Sequence, residues 1–105
     1  MANLKGAMLN RANFSRANLE GADLRQAKLT GVSLIGAYLR RALLAGTDLR
    51  RANFANADLR GADLSGSRLR RVNLEGADME GANLDGAEIV DDEQGMQPSA
   101  LCIAA

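Results

Sequence analysis

The chain contains no histidine and no tryptophan, and it has a single cysteine and a single proline. Without histidine it lacks the usual general base of enzymes and the most common metal ligand. One thiol, Cys102, makes neither an internal disulfide nor a metal site, which fits a reducing compartment. The sequence therefore predicts a protein that is not an enzyme and has no catalytic, metal or cofactor site, and the cytoplasm is its expected location.

Aromatic residues and net charge are also scarce. Phe14, Phe54 and Tyr38 are the only aromatic residues among 105, so leucine and alanine must supply most of the core. Thirteen basic side chains balance thirteen acidic ones, which leaves no net field to attract nucleic acid or an acidic membrane surface. The apolar stretches are too short to span a bilayer, and the N-terminus shows no signal-peptide pattern. We expect no contact with a membrane.

What the chain does have is a five-residue repeat that runs from Ala2 to Asp91 without an insertion. One position, called i below, is large and apolar in all eighteen copies. Position i−2 is alanine in fourteen copies, and position i−1 is asparagine or aspartate in eleven. Positions i+1 and i+2 carry ten of the eleven glycines, together with arginine, asparagine and glutamine.

This period indicates a coil that bends at every repeat. A period of five fits neither an α-helix nor a long strand, because the apolar column would leave the buried face of either one. Positions i−2 and i point to the same face of a short extended segment, whereas glycine-rich positions i+1 and i+2 are typical of a corner. The repeat therefore predicts an all-β solenoid with alanine and leucine inside.

The unit Ala-(Asn/Asp)-Leu-x-(Gly/Arg), which covers about 90 of the 105 residues, resembles the pentapeptide-repeat family. The resemblance implies a right-handed four-sided β-helix, here with about four and a half coils of twenty residues. The sequence itself agrees with four sides rather than three, because matching substitutions recur at multiples of twenty residues. These pairs are Phe14 with Phe54, Val32 with Val72, and Thr47 with Ser67.

The repeat divides the chain into a β-helix over residues 1–91 and a tail over residues 92–105. The tail begins acidic and ends apolar, and it either folds back as a cap over the last coil or stays disordered. The first coil begins at Ala2 without a cap, which leaves apolar side chains and strand edges open. We therefore expect either end-to-end pairing with a second copy or a longer protein of which this chain is a part.

Surface charge differs between the four sides of the predicted coil. The side built on Leu9 and its equivalents in later coils carries seven basic residues against three acidic ones. Four of these basic residues, here called the arginine patch, should lie on adjacent coils: Arg50, Arg51, Arg70 and Arg71. Such a patch suits an acidic partner or phosphate groups, although arginine also serves simply as a solubilising alternative to glycine at corners.

A second irregularity lies in residues 26–45, where position i−1 carries no asparagine or aspartate. Tyr38 and Leu43 occupy that position and should point outward, next to corner arginines. We call this group the tyrosine surface, and it comprises Ile35, Tyr38, Leu43, Arg40, Arg41 and Arg60. Tyrosine beside arginine is common at protein interfaces, but single exposed apolar residues are also ordinary.

The remaining acidic and amide side chains have structural explanations. Stacked coils should place Asp58 beside Asp78, with Glu80 nearby, and such a cluster is either a weak hard-cation site or a solvated face. The asparagine and aspartate residues at i−1 are expected to hydrogen-bond either to corner amides that strand pairing leaves free or to each other.

These patterns predict a non-enzymatic scaffold for protein–protein interaction, whose rigid β-helix presents columns of side chains to an unknown protein partner. The family resemblance implies one alternative, because some members modulate type II topoisomerases such as gyrase by imitating DNA. Those proteins have strongly acidic surfaces, whereas this chain is neutral and has a basic side, so DNA mimicry is disfavoured. Direct binding of nucleic acid is disfavoured as well, since aromatic interleaving and a recognition helix are both missing.

Overall fold

A computed structural model describes residues 3–88 of the chain. Within this range every repeat contains one parallel β-bridge residue at position i−1, followed by a turn, and neither a longer strand nor a helix occurs. The fourteen bridges all join residues twenty positions apart, from Asn3 with Asp23 to Arg68 with Glu88. Four repeats therefore make one coil, and the predicted right-handed four-sided β-helix is confirmed.

Backbone hydrogen bonds between coils fix this register. The amide of position i donates to the carbonyl of residue i−1 in the next coil, as from Leu4 to Asp23 at 2.7 Å. The amide of position i−1 donates to the preceding coil, as from Lys28 to Ala7 at 2.9 Å. The amide of i+2 bonds to the next coil, and the amide of i−2 closes the corner by bonding to the carbonyl of the preceding position i. Four of the five amides in a repeat thus have backbone acceptors.

The fifth amide, at i+1, donates to a side chain in most of the described repeats. Each of the eleven asparagine and aspartate residues at i−1 accepts a hydrogen bond from that amide through Oδ1, with distances of 2.9–3.3 Å. The bond encloses a local turn of the kind that asparagine and aspartate favour. The prediction that these side chains bond corner amides is confirmed.

Every described corner contains a left-handed residue at i+2. The angle φ lies between +59° and +74° at all of these positions, of which ten are glycine and seven are not. The residue at i+1 has no positive φ, so the corner corresponds to a type II turn, which requires a positive φ at its third residue. The seven residues other than glycine are Arg11, Arg16, Gln26, Arg41, Arg51, Asn56 and Arg71.

The core is a continuous column of i and i−2 side chains along the axis. From Leu19 to Ala82 every residue at these two positions is buried. In the first described coil, by contrast, Leu4, Leu9 and Phe14 are only partly buried. The interior therefore consists of stacked layers that each depend on the coils above and below.

Two polar residues lie inside this apolar column. Thr47 donates from Oγ1 to the carbonyl of Leu44 at 2.7 Å, and Ser67 donates from Oγ to the carbonyl of Leu64 at 2.6 Å. Because both hydroxyls bond the carbonyl that begins their own corner, neither leaves an unsatisfied group in the described core. Their spacing of twenty residues places them in the same position of adjacent coils.

One side of the β-helix keeps its volume constant by pairing large residues with small ones. Ala52 lies beside Phe54, whereas Val72 lies beside the smaller Leu74, and all four side chains are at most 1% exposed. Close packing favours such compensation, since an added methyl group has no void to enter.

The structure leaves two sequence predictions untested. Residues 89–105 lie outside the described range, so neither the last repeat of the predicted 1–91 domain nor the predicted cap or disordered tail at 92–105 can be compared with it. Nowhere in residues 3–88 is there a helix that is long and apolar enough to cross a membrane.

We expect Ala52→Val to lower the free energy of unfolding by about 1–3 kcal/mol, because the added methyl groups overpack the layer that contains Phe54. The double variant with Phe54→Leu reproduces the valine–leucine pairing of the neighbouring coils, so it should recover most of this loss. Urea unfolding of the three proteins measures both effects. If Ala52→Val were as stable as the parent, the proposed layer packing would be wrong.

Candidate functional site

The arginine patch lines an open cleft at one corner of the β-helix. Arg50, Arg51, Arg70 and Arg71 surround a volume of about 420 Å³ together with Thr30. The backbone bond from the Arg51 amide to the Arg70 carbonyl, 3.0 Å long, holds the two corners one above the other. The prediction that the four arginines occupy adjacent coils is therefore confirmed.

Arginine at position i+2 has a conformational cost. Arg51 and Arg71 have φ angles of +62° and +60°, a region that residues with a Cβ enter at a cost of about 1–2 kcal/mol and glycine enters freely. Arginine has no short polar side chain of the kind that makes this conformation easier for asparagine. The patch thus contains two residues that the fold alone would not select.

The stacking of corners makes this pair more unusual. A Cβ built on Gly61 would lie 3.5 Å from Cγ of Arg41, one coil earlier, so the i+2 side chain leans over the same corner of the next coil. Six side chains of this kind have a described corner in the following coil, and five of them precede a glycine there; Arg51 alone precedes another arginine, Arg71. The same geometry would direct the Arg51 side chain over the corner of Arg71, and both residues line the cleft.

These five side chains and the glycines that follow them one coil later are Arg11 with Gly31, Arg16 with Gly36, Gln26 with Gly46, Arg41 with Gly61, and Asn56 with Gly76. The absence of a Cβ is most important at Gly76, because a Cβ there would collide with Oδ1 of the Asn56 side chain. Within the described coils, only the arginine patch therefore has two corners without glycine stacked directly on each other in adjacent coils.

The charges of the patch are only partly balanced within the chain. Arg50 binds Asp48 through two hydrogen bonds of 2.8 and 2.7 Å. No acidic side chain within residues 3–88 forms an ion pair with Arg51 or Arg70. On the adjoining side, Asn53 and Asn73 are uncharged. The cleft therefore carries excess positive charge that a ligand with negative charge would balance.

The pairing of Arg50 follows a local motif that the sequence shows three times. In each Asp-Leu-Arg tripeptide the guanidinium at i+1 folds back onto the carboxylate at i−1, with bond lengths of 2.7–2.9 Å. The tripeptides begin at Asp23, Asp48 and Asp58. Arg70 does not form this pair, because position i−1 of its own repeat is Arg68. From the sequence alone, this motif could have indicated that Arg50, unlike Arg70, is paired with an aspartate of its own repeat.

These pairs also shift acid–base equilibria. Hydrogen bonds from the Arg25 side chain lower the pKa of Asp23 from 3.8 to about 2. The side-chain hydrogen bonds of Arg50 and Arg60 likewise lower the pKa of Asp48 and Asp58, respectively, although partial burial opposes the change. All three carboxylates are thus ionised at neutral pH.

The tyrosine surface lies elsewhere on the β-helix. Arg40, Arg41 and Arg60 sit at a corner two sides away from the arginine patch, which in a four-sided coil is the diagonally opposite one. Tyr38 is 54% exposed on the adjoining side, and Ile35 is 39% exposed at that side's other corner. The candidate residues therefore form two separate surfaces.

The expectation that Leu43 points fully outward needs correction, because its side chain is half-buried. It stacks between Asp23 and Asp63 of the neighbouring coils, and its side chain is short enough to be covered by its column. Tyr38, which occupies the same position i−1, is long enough to extend beyond its column. Met8, at 73% exposed, is the most exposed large apolar residue in the described range, and the sequence analysis did not select it.

Acidic neighbours already balance much of the charge on the tyrosine surface. Arg60 binds Asp58 through hydrogen bonds of 2.8 and 2.7 Å, and its Nε lies 3.7 Å from Oδ2 of Asp78. Arg40 lies 3.9 Å from Asp58. Asp58 and Asp78 of the predicted acidic cluster therefore belong to an ion-pair network with these arginines. The described residues contain no group of acidic or sulfur side chains suited to a metal ion.

Comparison with known proteins agrees with this architecture. A sequence model of pentapeptide repeats matches residues 2–34, 33–71 and 62–91, with eight copies of its unit. The chain belongs to the pentapeptide-repeat family. Pentapeptide-repeat proteins are generally structural repeat proteins without enzymatic activity. A search of curated proteins gave no significant match.

Solved pentapeptide-repeat proteins share the fold over most of their length. One from the cyanobacterium Cyanothece 51142 is 28% identical, with a TM-score of 0.75 over 89% of this chain and 86% of the other. One from the thylakoid lumen of Arabidopsis thaliana is 31% identical, with a TM-score of 0.64 over 99% and 73% of the two chains. A third, from Nostoc Pcc 7120, is 37% identical, with a TM-score of 0.57 over 86% and 84%.

Replacing Arg25 by methionine should raise the pKa of Asp23 from about 2 towards 3.8, because its main hydrogen-bond donor is lost. A carboxyl whose pKa is lowered on folding stabilises the protein above its unfolded pKa and loses this effect as pH falls through the folded pKa. The parent should therefore be more stable than the variant at neutral pH, with the difference vanishing between about pH 4 and pH 2. An NMR titration that left the Asp23 pKa unchanged in Arg25→Met would contradict this pairing.

Arg16→Gly should be more stable than the parent by up to about 1 kcal/mol, because relief of the left-handed strain exceeds the entropy that glycine adds to the unfolded chain. Arg51→Gly should gain more, since it also removes one of several neighbouring positive charges. Thermal unfolding at low salt measures both changes. The difference between the two variants should shrink in about 1 M salt, where charges are strongly screened; a salt-independent difference would rule out the electrostatic contribution.

Proposed function

We propose that this protein is a non-enzymatic scaffold that binds another protein, with the arginine patch as its main contact surface. The observation that carries the proposal is the pair Arg51 and Arg71, left-handed arginines on consecutive corners of one column. Their conformational cost and their like charges both oppose folding, so selection for stability alone would favour glycine at these positions. A role in binding explains why arginine is present instead.

Shape and charge support the same assignment. The cleft is open, and its arginines are attached to a backbone that is held by hydrogen bonds between coils, so little of the backbone has to reorganise when a partner binds. Arginine is enriched at the centres of protein interfaces because its planar guanidinium makes several directed hydrogen bonds. A partner with an acidic surface would balance the positive charges of Arg51 and Arg70, which form no ion pair with an acidic side chain of residues 3–88.

The tyrosine surface supports a secondary contact. Ile35 and Tyr38 are exposed apolar residues on a surface whose arginines already bind carboxylates. A partner that contacts only this surface would gain mainly apolar area. We therefore place it second to the arginine patch, and its diagonal position would allow the scaffold to bind two partners at once.

Two further expectations accompany this proposal. End-to-end pairing with a second copy stays a prediction. Residence in the cytoplasm also stays a prediction. DNA mimicry has little support, because three aspartates of the described surface are held by arginines of the same chain rather than presented as free negative charge.

The matched variants Arg51→Glu and Arg16→Glu test the proposal, because they make the same charge change at left-handed corners in and outside the patch. A partner captured by the immobilised full chain, then purified, should bind Arg51→Glu at least about tenfold more weakly. It should bind Arg16→Glu and Tyr38→Ala nearly as well as the parent. Calorimetry with the purified partner gives the affinities.

Loss of binding in Tyr38→Ala alone would transfer the main contact to the tyrosine surface. Equal binding by all variants would reject both surfaces, and the scaffold proposal would fail if no protein bound the full chain specifically.

A further inference from the structure

We propose that the arginine patch recognises a phosphoryl group carried by a phosphorylated side chain of the protein partner. This inference rests on the proposed scaffold function and specifies the chemistry of its ligand. The arrangement that points to it is the convergence of four arginines and Thr30 on a single open cleft of about 420 Å³.

The positive charge in the cleft exceeds what one further carboxylate can balance. Within this chain one carboxylate, that of Asp48, already accepts both hydrogen bonds that the Arg50 fork offers. Arg51 and Arg70, which form no ion pair with an acidic side chain of residues 3–88, bring two further forks to the same cleft. A phosphate monoester carries close to two negative charges near neutral pH and presents three acceptor oxygens. It can therefore bind both guanidinium groups and balance both charges, whereas a carboxylate supplies only one negative charge.

The vertical spacing of the corners suits one phosphoryl group. Adjacent coils of a β-helix lie about 4.8 Å apart, and the backbone bond between Arg51 and Arg70 shows that the two corners belong to adjacent coils. Guanidinium groups that reach inward from two such corners can bind different oxygens of the same phosphate. A carboxylate also offers two oxygens to two such groups, but its single negative charge would leave positive charge unbalanced in the cleft.

The patch is compact, which argues against an extended polyanion. In the same corner column the preceding coil offers the uncharged Thr30 and Gly31. At position i−1 the adjoining side carries Ser33, Asn53 and Asn73, which have neither a charge nor an aromatic ring for base stacking. Single-stranded nucleic acids bind along basic grooves with aromatic platforms. Beyond these two coils the side of the patch carries only the separate basic residues Arg11 and Lys28, and it has no aromatic residue.

The strain at Arg51 and Arg71 agrees with a site that requires arginine specifically. Lysine supplies a point charge without the planar fork, and glycine supplies neither. Because position i+2 directs its side chain over the next coil, arginines at two consecutive corners bring two forks into one cleft. Arginine at one corner with glycine at the next, as at Arg41 and Gly61, does not produce such a pair.

The test uses the full chain and three fluorescent probes of the same length. The first is a glycine–serine peptide with one central phosphoserine, and the other two have glutamate or serine in its place. We expect the phosphopeptide to bind at least about tenfold more tightly than either control, since two or more charge-assisted hydrogen bonds are added. Fluorescence anisotropy at fixed salt measures the affinities, and inorganic phosphate should compete with the phosphopeptide.

Three variants assign the binding to the patch. Arg51→Gly and Arg70→Gln should each weaken phosphopeptide binding by about tenfold. Arg16→Gly changes the same kind of corner outside the patch and should bind like the parent. Arg70→Gln leaves every left-handed position intact, so it separates loss of a ligand contact from a change in backbone conformation. Thermal unfolding of each variant confirms that it is folded.

Several outcomes would overturn the inference. Equal affinity for the phosphoserine and glutamate peptides would show a general acidic-protein surface, in which case the scaffold proposal stands and phosphoryl recognition fails. Binding of inorganic phosphate without the phosphopeptide would replace a protein ligand by a small phosphate compound. Tighter binding of a short single-stranded DNA would assign the patch to nucleic acid. An affinity unaffected by Arg51→Gly and Arg70→Gln would place the site elsewhere.

Phosphatase treatment separates this inference from the scaffold proposal. If the captured partner depends on Arg51 and loses affinity once it is dephosphorylated, both hold. If it depends on Arg51 and binds equally after dephosphorylation, the scaffold proposal alone survives.

Discussion

A left-handed backbone conformation at every fifth residue is the requirement on which the structure depends. Each such residue turns the chain by one corner, and the turn brings positions i−2 and i back to face the axis while the amides of positions i−1, i and i+2 point along it. The one amide that the corner leaves over is bonded by asparagine or aspartate at i−1 in eleven repeats. Core, hydrogen bonding and surface columns therefore all follow from a single repeated φ value, and a residue that resists this value weakens every layer that depends on its corner.

Stability and binding place opposite demands on those corners. Glycine satisfies the backbone at no steric cost but presents nothing to a partner, whereas arginine presents a fork of donors at the expense of strain. The chain uses both, with glycine at ten described corners and arginine at five. Proteins commonly sacrifice some stability where a site must carry a particular side chain. Arg51 and Arg71 show this compromise most clearly, because they are consecutive in one column and their charges add to the strain.

Much of this architecture follows from the sequence because the repeat fixes position. The period of five and the recurrence of Val32 at Val72 give four sides, and numbering by twenty then places Arg51 directly below Arg71. The twenty-residue register does not determine the conformation of a long side chain. Arg50 and Arg70 occupy equivalent positions, yet Arg50 bends back onto Asp48, whereas Arg70 has Arg68 in that place. Leu43 and Tyr38 also share a position, and their difference in exposure depends on how far each side chain extends beyond its column.

Because all fourteen bridges join residues twenty positions apart, the interior and the surface of this protein have different sequence periods. The interior repeats every five residues, so a gain or loss of one repeat would leave the apolar column continuous. The surface repeats every twenty, so the same event would carry every later residue around one corner. An insertion of five residues between Arg51 and Arg70 would keep the coil but move the two halves of the patch onto neighbouring edges. Lineages of such chains can therefore change length by single repeats without losing their fold, whereas a binding surface built across coils is inherited only when length changes by whole turns.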